Sequence, residues 1–506
     1  MNTVPTKAII LAAGKSSRFK TKKSKLLFNI CGRTMILYPI KVLESLAIPM
    51  TVVLGHQADE VRAEITSANV ANVEYVIQDE QKGTGHAIAC TQATWTEENI
   101  LILCGDTPLL TPDFIQSLLQ SHQQTAAEVT LSTTMVIDPT GYGRVVTTDG
   151  KYEIIEERNC TDDQRSITLV NAGVYVMKKS FLEQHINLLQ PNTLTGEVYL
   201  VDLIKLASDK NLTINEHRVA YDYVRGVNTL QDLWEVEQIQ RSQFIKHWMA
   251  EGVRFELAQS IHIDINVEIG SGSFIGTGVH LIGNTKIGEE CFVAAFSIIE
   301  DSIVHNNTTI HSHSVVQSST LGENVQIGPF ARLRSNVVLG DNVQIGNFVE
   351  LKATTIGNNS RTKHLTYLGD ATIGERVNIG AGTIVCNYDG IKKNKTIIED
   401  NVFIGSNNTL IAPLTIGKGA YTAGGSTINE NVPAESLAIG RSKQELKAGY
   451  AQKIKDQLRK KYSDQENAAL ETSDTEKKAE PLQNTQDAAQ CFRGAVKTNS
   501  ELNEPS

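Results

Sequence analysis

Two sets of residues in this chain have the types and spacing to do chemistry. In the first, the apolar run KAIILAAG leads into KSSRFK, so that Gly14 bends the chain just before Arg18, with Lys25 close behind. A glycine-containing turn after a buried strand can present backbone N–H groups to phosphate oxygens. Two cations on one loop could neutralise a polyphosphate. Neither GxxxxGK[ST] nor GxGxxG is present, so an ordinary strand-to-helix loop remains open. Asp106 ends a second apolar run, NILILCGD. A carboxylate at the carboxyl end of a parallel strand is a hard ligand for Mg²⁺, and in GDTP it is equally a turn former. QKGTGHA (81–87) and GYGR (141–144) are glycine loops suited to close backbone contact with a base or sugar. His56 and His86 have no evident carboxylate partner and read as structural. In the second set, His364 stands in TKHLTYLGD. Any single histidine is by default a scaffold residue, but Arg334, Lys352, Tyr367 and Lys393 lie at nearby wall and loop positions. A neutral imidazole there could act as a general base.

The elements that must position these residues change character along the chain. From Lys7 to about Asn228, strand-like runs (KAIILAAG, MTVVLG, VEYVIQ, NILILCGD, EVTLSTTMV, NAGVYVM) alternate with helical patterns, which predicts an α/β domain with a mostly parallel sheet over 1–228. Residues 229–251 carry Leu230, Leu233, Val236 and Ile239 at helical spacing, without Gly or Pro, and predict a linking helix that stops at Gly252. Over 252–450 an aliphatic residue followed by Gly recurs at Ile269, Ile275, Ile282, Ile287, Leu321, Ile327, Leu339, Ile345, Ile356, Ile373, Ile379, Ile404 and Ile416, with Leu333 filling a gap. Many of these steps are six or a multiple of six, the signature of a parallel β-helix. The phase is interrupted at 349–372 and 385–397, where loops are expected to leave the wall. Residues 451–462 read as a basic helix. The polar stretch from about Ser463 has too little apolar surface to order itself, so 451–506 is expected to be a largely disordered tail.

Composition sets the outer bounds. Across 506 residues, 47 Lys+Arg stand against 57 Asp+Glu, a net charge of −10 with His neutral. That balance argues against broad nucleic-acid or anionic-membrane binding. No apolar run reaches the length of a membrane span. Seven scattered cysteines without CxxC read as reduced thiols in a cytoplasmic protein.

The order of LAAGKSSR, Lys25, QKGTGHA, CGDTPL, DPTGYGR, IIEE, NAG (171–173) and GVN (226–228) resembles the sugar-nucleotide pyrophosphorylases. With HLTYLGD, NIGAGTIVCNYDG and GSNNTLIAP following, residues 7–450 resemble the bacterial bifunctional UDP-N-acetylglucosamine pyrophosphorylase/glucosamine-1-phosphate N-acetyltransferase family. The resemblance implies a Rossmann-like nucleotidyltransferase domain followed by a left-handed parallel β-helix of hexapeptide repeats. It implies acetyl transfer from acetyl-CoA to glucosamine 1-phosphate, then uridylyl transfer from UTP, with Mg²⁺ as cofactor, in a homotrimer that feeds cell-envelope precursor synthesis.

Site residues follow by position. Leu11, Ala12, Ala13 and Gly14 match the uridine and phosphate loop, Arg18 and Lys25 its basic pair, and Gln78, Gly83 and Thr84 the uracil contacts. Gly141, Glu156, Asn171 and Asn228 match the sugar contacts, and Asp106 with Asn228 the Mg²⁺ ligands. In the second domain His364 matches the general base, and Arg334, Lys352, Tyr367, Asn378 and Lys393 the sugar-phosphate site. Ala381, Asn387, Tyr388, Ser406, Gly424 and Arg441 match acetyl-CoA contacts, the backbone N–H near Ser406 standing at the oxyanion-stabilising position. Three positions depart from common family residues: Ser24 for Pro, Cys104 for Tyr and Gly424 for Ala. The competing readings are a single-activity nucleotide-sugar pyrophosphorylase with a regulatory β-helix, and a scaffold with a degenerate site.

Overall fold

The computed structural model describes residues 5–193 and 195–476. Its described residues form two compact units, one up to Arg441 and one from Ser442.

The first unit opens with a sheet whose strands lie in the order Ile214–Arg218, Val129–Met135, Leu169–Lys178, Asn99–Cys104, Thr6–Ala12, Met50–Leu54, Val73–Ile77. Thr6–Ala12 is central because helices cover both its faces: Ala8, Ile9 and Ile10 are fully buried, as the near-continuous apolar run of a parallel strand requires. It pairs in parallel with Met50–Leu54 and with Asn99–Cys104. Leu169–Lys178 runs antiparallel between Asn99–Cys104 and Val129–Met135, so the sheet is mixed but mostly parallel. The register Leu11↔Cys104 brings the carboxyl ends of two strands side by side, and Gly105 N–H donates to the Leu11 carbonyl at 2.9 Å. A Cβ on Gly105 would come within 2.7 Å of the tip of the Ile36 side chain and 3.3 Å of the Leu11 carbonyl, so a larger residue here would displace Ile36.

The helix Leu230–Ala250 starts with a capping box: the Thr229 hydroxyl accepts from Asp232 N–H, and the Asp232 carboxylate accepts from Thr229 N–H. Val236 is buried against the α/β core and Ile245 against the first turns of the coil. Leu230, on the same spacing, is half exposed in the first turn. Gly252 follows the helix with φ +88°, the left-handed stop that glycine takes without strain.

From Arg254 the chain winds into three parallel sheets of 11, 10 and 9 strands. Register pairs such as Ile275↔Val293, Leu281↔Ile299 and Ile287↔Val304 stack each side on the one before it, and the three sides of each turn form a parallel β-helix. The inward ladder runs Ile269, Ile275, Leu281, Ile287, Val293 and Ile299, all buried. Leu281, not the half-exposed Ile282, therefore occupies the interior position. Truncating Leu333, fully buried in this stack, to alanine should cost about 2–5 kcal/mol of stability, read as a lowered denaturation midpoint.

The break expected at 349–372 is not there. Glu350–Lys352, Thr355–Ile356, Arg361–His364, Tyr367–Gly369 and Ala371–Ile373 all remain strands of the wall, with Leu351, Thr362 and Leu368 facing inward at 0% exposure. The polar Thr362 sits where the hexad asks for an aliphatic residue, which hides the phase. The second expected break does leave the wall, between Ile384–Cys386 and Thr396–Ile398, closed by a Tyr388↔Lys393 bridge.

In the second unit, Tyr450–Glu476 is one helix. Order thus continues past Ser463, where the sequence suggested none, because Lys, Gln, Glu and Ala are strong helix formers and 451–476 contains no Gly or Pro. The expected disorder of 477–506 lies outside the described residues.

Candidate active sites of the two domains

The first site sits on the side-by-side strand ends. Lys25 opens a short helical turn, Lys25–Leu27. Its ammonium donates to the Asp106 carboxylate, to the Val227 carbonyl at 2.8 Å and to Asn228 Oδ1 at 3.3 Å. Arg18, exposed on the turn Ser17–Phe19, donates to the same Asn228 Oδ1 at 2.6 Å. Asn228 is held in turn by the linking helix, since its N–H donates to the capping Asp232 carboxylate at 2.9 Å. Four residues from distant parts of the chain, Arg18, Lys25, Asp106 and Asn228, thus converge on one point. Gly14 faces open space, with nothing within 4 Å of a Cβ, and Leu11, Ala12 and Ala13 line the turn beneath it. Burial, with a contribution from the Asp106 charge, pushes the Cys104 thiol up to about 12 despite Lys25, so the thiol is neutral beside this cluster.

Gln78, Gly83 and Thr84 form a neighbouring group. The buried Gln78 amide donates to the Gly83 carbonyl at 3.1 Å and lies 2.9 Å from His86 Nδ1, which gives His86 its structural partner. The Thr84 hydroxyl accepts from Leu200 N–H at 3.0 Å. Glu156 and Asn171 are joined through Gly143: the Asn171 N–H donates to the Gly143 carbonyl, and a Cβ at Gly143 would lie 3.5 Å from Glu156 Oε1. Burial, then the charges of Asp202 and Glu197, raise the Glu156 carboxyl. Gly141 (φ +86°) is exposed in the turn beyond. That turn is braced by a pair the sequence did not single out, Arg144 and Glu157, at 2.7 Å with the arginine buried.

The second site occupies two adjoining faces of the β-helix. On one, Arg334 and Lys352 are aligned on successive turns. Arg334 Nε donates to Glu350 at 2.8 Å, and Lys352 Nζ to Asp370 Oδ1 at 2.7 Å. Tyr367 begins the next strand of that face, and Asn387 begins the loop above it. Burial pushes the Asp370 carboxyl up, but hydrogen bonds from Lys352 and Asn387 outweigh it and hold the group below its ordinary value. Asp389 builds the loop by accepting from Ile391 N–H, Lys392 N–H and Asn394 Nδ2. The Lys393 ammonium lies 4.6 Å from the Tyr388 ring centre.

On the other face, His364 ends the strand Arg361–His364, exposed, with Nδ1 2.9 Å from Asn347 Oδ1. Asn378 accepts from Arg361 at 2.7 Å, one strand along. Gly382 N–H donates to the His364 carbonyl and Asn407 N–H to the Ala381 carbonyl, which ties Ala381 to this turn. Ser406 and Gly424 sit together higher up, where a Cβ on Gly424 would lie 3.4 Å from the Ser406 carbonyl. Arg441 is exposed at the end of the unit. His364 and Tyr367 flank the corner at Leu365, and up this corner runs an exposed stack of rings: Phe296–His313 at 5.3 Å, His313–Phe330 at 5.0 Å and Phe330–Phe348 at 5.4 Å.

Asn347 escaped the sequence reading. It precedes His364 by 17 residues, one turn of the coil, so the hexad phase carried through 349–372 would have pointed to it.

The comparisons agree with both halves. A model of the MobA-like NTP transferase domain matches residues 8–147, and one of the GMPPB C-terminal domain matches residues 257–362. The bifunctional protein GlmU of Fervidobacterium nodosum is 41% identical over 454 residues, covering 90% of this chain and 98% of its own length. That of Exiguobacterium sibiricum is 41% identical over 449 residues, covering 88% and 99%. That of Thermosipho melanesiensis is 42% identical over 439 residues, covering 87% and 95%. At this identity over nearly the whole of each relative, the chain belongs to the family of the bifunctional protein GlmU.

Proposed function

We propose that the Arg18–Lys25–Asp106–Asn228 cluster carries uridylyl transfer and the His364 corner carries acetyl transfer. The chain is a GlmU-type bifunctional acetyltransferase and uridylyltransferase that makes UDP-N-acetylglucosamine, with UTP and acetyl-CoA as substrates. The observation that carries the assignment of residues is the convergence of Lys25 on Asp106, Val227 and Asn228. Three oxygens around one ammonium mark a place built to hold positive charge.

In the first step, the amine of glucosamine 1-phosphate attacks the thioester carbonyl of acetyl-CoA; the C–N bond of the amide forms, the C–S bond breaks, and coenzyme A leaves as its thiol. His364 takes the proton that the nitrogen loses, and Asn347 holds the ring through Nδ1. Arg334, Lys352 and Lys393 neutralise the sugar phosphate, with Tyr367 and Asn378 beside it. Ala381, Asn387, Tyr388, Gly424 and Arg441 receive acetyl-CoA, and the backbone N–H near Ser406 stabilises the oxyanion.

In the second step, a phosphate oxygen of N-acetylglucosamine 1-phosphate attacks the α-phosphorus of UTP. The nucleophile is already anionic, so positioning and charge neutralisation suffice. Arg18 and Lys25 stabilise the departing pyrophosphate. The turn 11–14 with Gln78, Gly83 and Thr84 holds the uridine, and Gly141, Glu156, Asn171 and Asn228 hold the sugar.

The donor set fits Mg²⁺. Among the described residues no group of three or more His, Cys, Asp or Glu could hold a metal, but Asp106 and Asn228 offer two hard oxygens that already face a cation, and Mg²⁺ commonly completes its shell with substrate phosphates and water. Bound there, the ion would neutralise triphosphate charge.

We further read the chain as a cytoplasmic homotrimer. Six cysteines are free among the described residues, and among these residues no helix is long and apolar enough to cross a membrane. The acetyltransferase residues lie on both sides of an exposed corner lined with stacked aromatic rings, an arrangement that a neighbouring copy would close into a groove. Sedimentation should give a trimer, and an acetylation-competent monomer would overturn this. An assay supplying glucosamine 1-phosphate, acetyl-CoA and UTP should yield UDP-N-acetylglucosamine; uridylyl transfer without acetylation would leave only a pyrophosphorylase.

A further inference from the structure

The carboxylate of Asp370 has no substrate role in the assignment above, yet it touches one residue assigned to the sugar-phosphate subsite and one assigned to the acetyl-CoA subsite. Asp370 directly follows the strand Tyr367–Gly369, in which Gly369 is aligned with Lys352 on the turn before. Its backbone takes φ +53°, a left-handed corner that Asp tolerates better than most side chains. One oxygen accepts from Lys352 Nζ at 2.7 Å and the other from Asn387 Nδ2 at 2.5 Å. Neither charged partner is freely solvated, with side chains 21% exposed for Lys352 and 17% for Asp370, and Asn387 is buried.

The backbone adds two further ties: Asp370 N–H donates to the Lys352 carbonyl, and Thr396 N–H donates to the Asp370 carbonyl. Asn387 and Thr396 are the points where the loop 387–395 leaves and re-enters the wall, so one residue holds both feet of the loop that carries Tyr388 and Lys393. Gly369 makes room for the cluster, since a Cβ there would run into the Tyr367 hydroxyl and the Asn387 amide.

We propose that Asp370 is a positioning residue that fixes the sugar-phosphate and acetyl-CoA subsites relative to each other, through Lys352 on one side and the Asn387 loop on the other. This rests on the assignment of Lys352 and the loop's Lys393 to the phosphate, and of the loop's Asn387 and Tyr388 to acetyl-CoA. A lysine ammonium has three donors, so the bond to Asp370 orients Lys352 while leaving donors for the phosphate. A residue that served only one subsite would affect only one substrate; a shared anchor must affect both.

The test is steady-state kinetics of the full-length protein carrying Asp370→Asn. The amide has nearly the shape of the carboxylate, but its Nδ2 is a donor, so it cannot accept from Lys352 and from Asn387 Nδ2 together. KM for glucosamine 1-phosphate and KM for acetyl-CoA should each rise about tenfold, the equivalent of about 1.4 kcal/mol per substrate. Uridylyl transfer and the melting temperature should stay near native. Asp370→Glu, which keeps two acceptor oxygens, should stay closer to native in both constants. In the Lys352→Ala background, Asp370→Asn should raise KM for the sugar phosphate less than it does alone, because the two groups share one interaction. If the unaltered protein does not acetylate glucosamine 1-phosphate, the underlying assignment fails. If it does, a rise in only one KM, or in neither, overturns the shared anchor. So does a fall in melting temperature with both KM values unchanged.

Discussion

Replacing His364 with alanine should slow acetyl transfer by about 10²–10⁴-fold, the usual contribution of a general base, while uridylyl transfer keeps its native rate. Amide formation from a thioester requires the attacking amine to lose a proton, and the group that takes it must reach the nitrogen. His364 is exposed at a strand end, with one ring nitrogen engaged by Asn347 at 2.9 Å, which leaves the other for the substrate. Binding of glucosamine 1-phosphate should weaken far less than turnover, because the proposed phosphate contacts are Arg334, Lys352 and Lys393, not the histidine. A separate assay of each half-reaction decides the matter. Full acetyl transfer by the alanine variant at neutral pH would make His364 a scaffold residue and hand the proton to solvent or another group.

Asp106→Ala should remove UDP-N-acetylglucosamine formation almost entirely, by at least about 10²–10³-fold, and leave acetylation intact. The carboxylate meets Lys25 in the cluster proposed to receive the triphosphate, and Asn228 provides another oxygen that the ammonium touches. Without Asp106, Lys25 loses its ion-pair partner, and a divalent cation bound at the proposed site would lose its anionic ligand. Because Asp106 lies on the α/β sheet and His364 on the coil, the two variants should show complementary losses. Mixing them should restore the overall reaction, since N-acetylglucosamine 1-phosphate made by one can diffuse to the other. Uridylyl transfer at the native rate by Asp106→Ala would remove Asp106 from the site.

Much of this architecture was legible in the residues. Buried parallel strands such as Thr6–Ala12 must be apolar on both faces, so they stand out as continuous runs. The coil stands out because nearly every side of each turn contributes one inward aliphatic residue. Legibility failed where a polar residue could still be buried: Thr362 breaks the visible hexad while its backbone keeps the strand. It also slipped by one residue at Ile282, where Leu281 next to it satisfies the same pattern and is the one buried. The tail shows a different gap, since low hydrophobicity argues against a core but not against a helix, and Tyr450–Glu476 is helical.

In the first site, Gly14, Arg18 and Asp106 were readable because glycine turns and strand-end carboxylates are local features. The bracing partners were not: Arg144–Glu157, Asn347–His364 and Lys352–Asp370–Asn387 join residues 13 to 18 positions apart. Such contacts follow from the pitch of a hairpin or coil and have no local sequence mark.

The stacking of the coil also governs how a lesion spreads. Each inward side chain packs on the turn before and the turn after, as in the register Leu321↔Leu339↔Ile356, and no helix crosses the stack from Glu268 to Ile428. The β-helix is therefore close to a one-dimensional lattice, in which stability is a sum of nearest-neighbour terms. Damage at one rung weakens its immediate neighbours and fades beyond them. The rungs between Arg334 and Gly424, where the second site lies, are buffered from below by the turns between Arg254 and Leu321. Away from the corner rings Phe296 and His313, the sequence of those lower turns can vary as a spacer, provided each turn keeps its three inward residues.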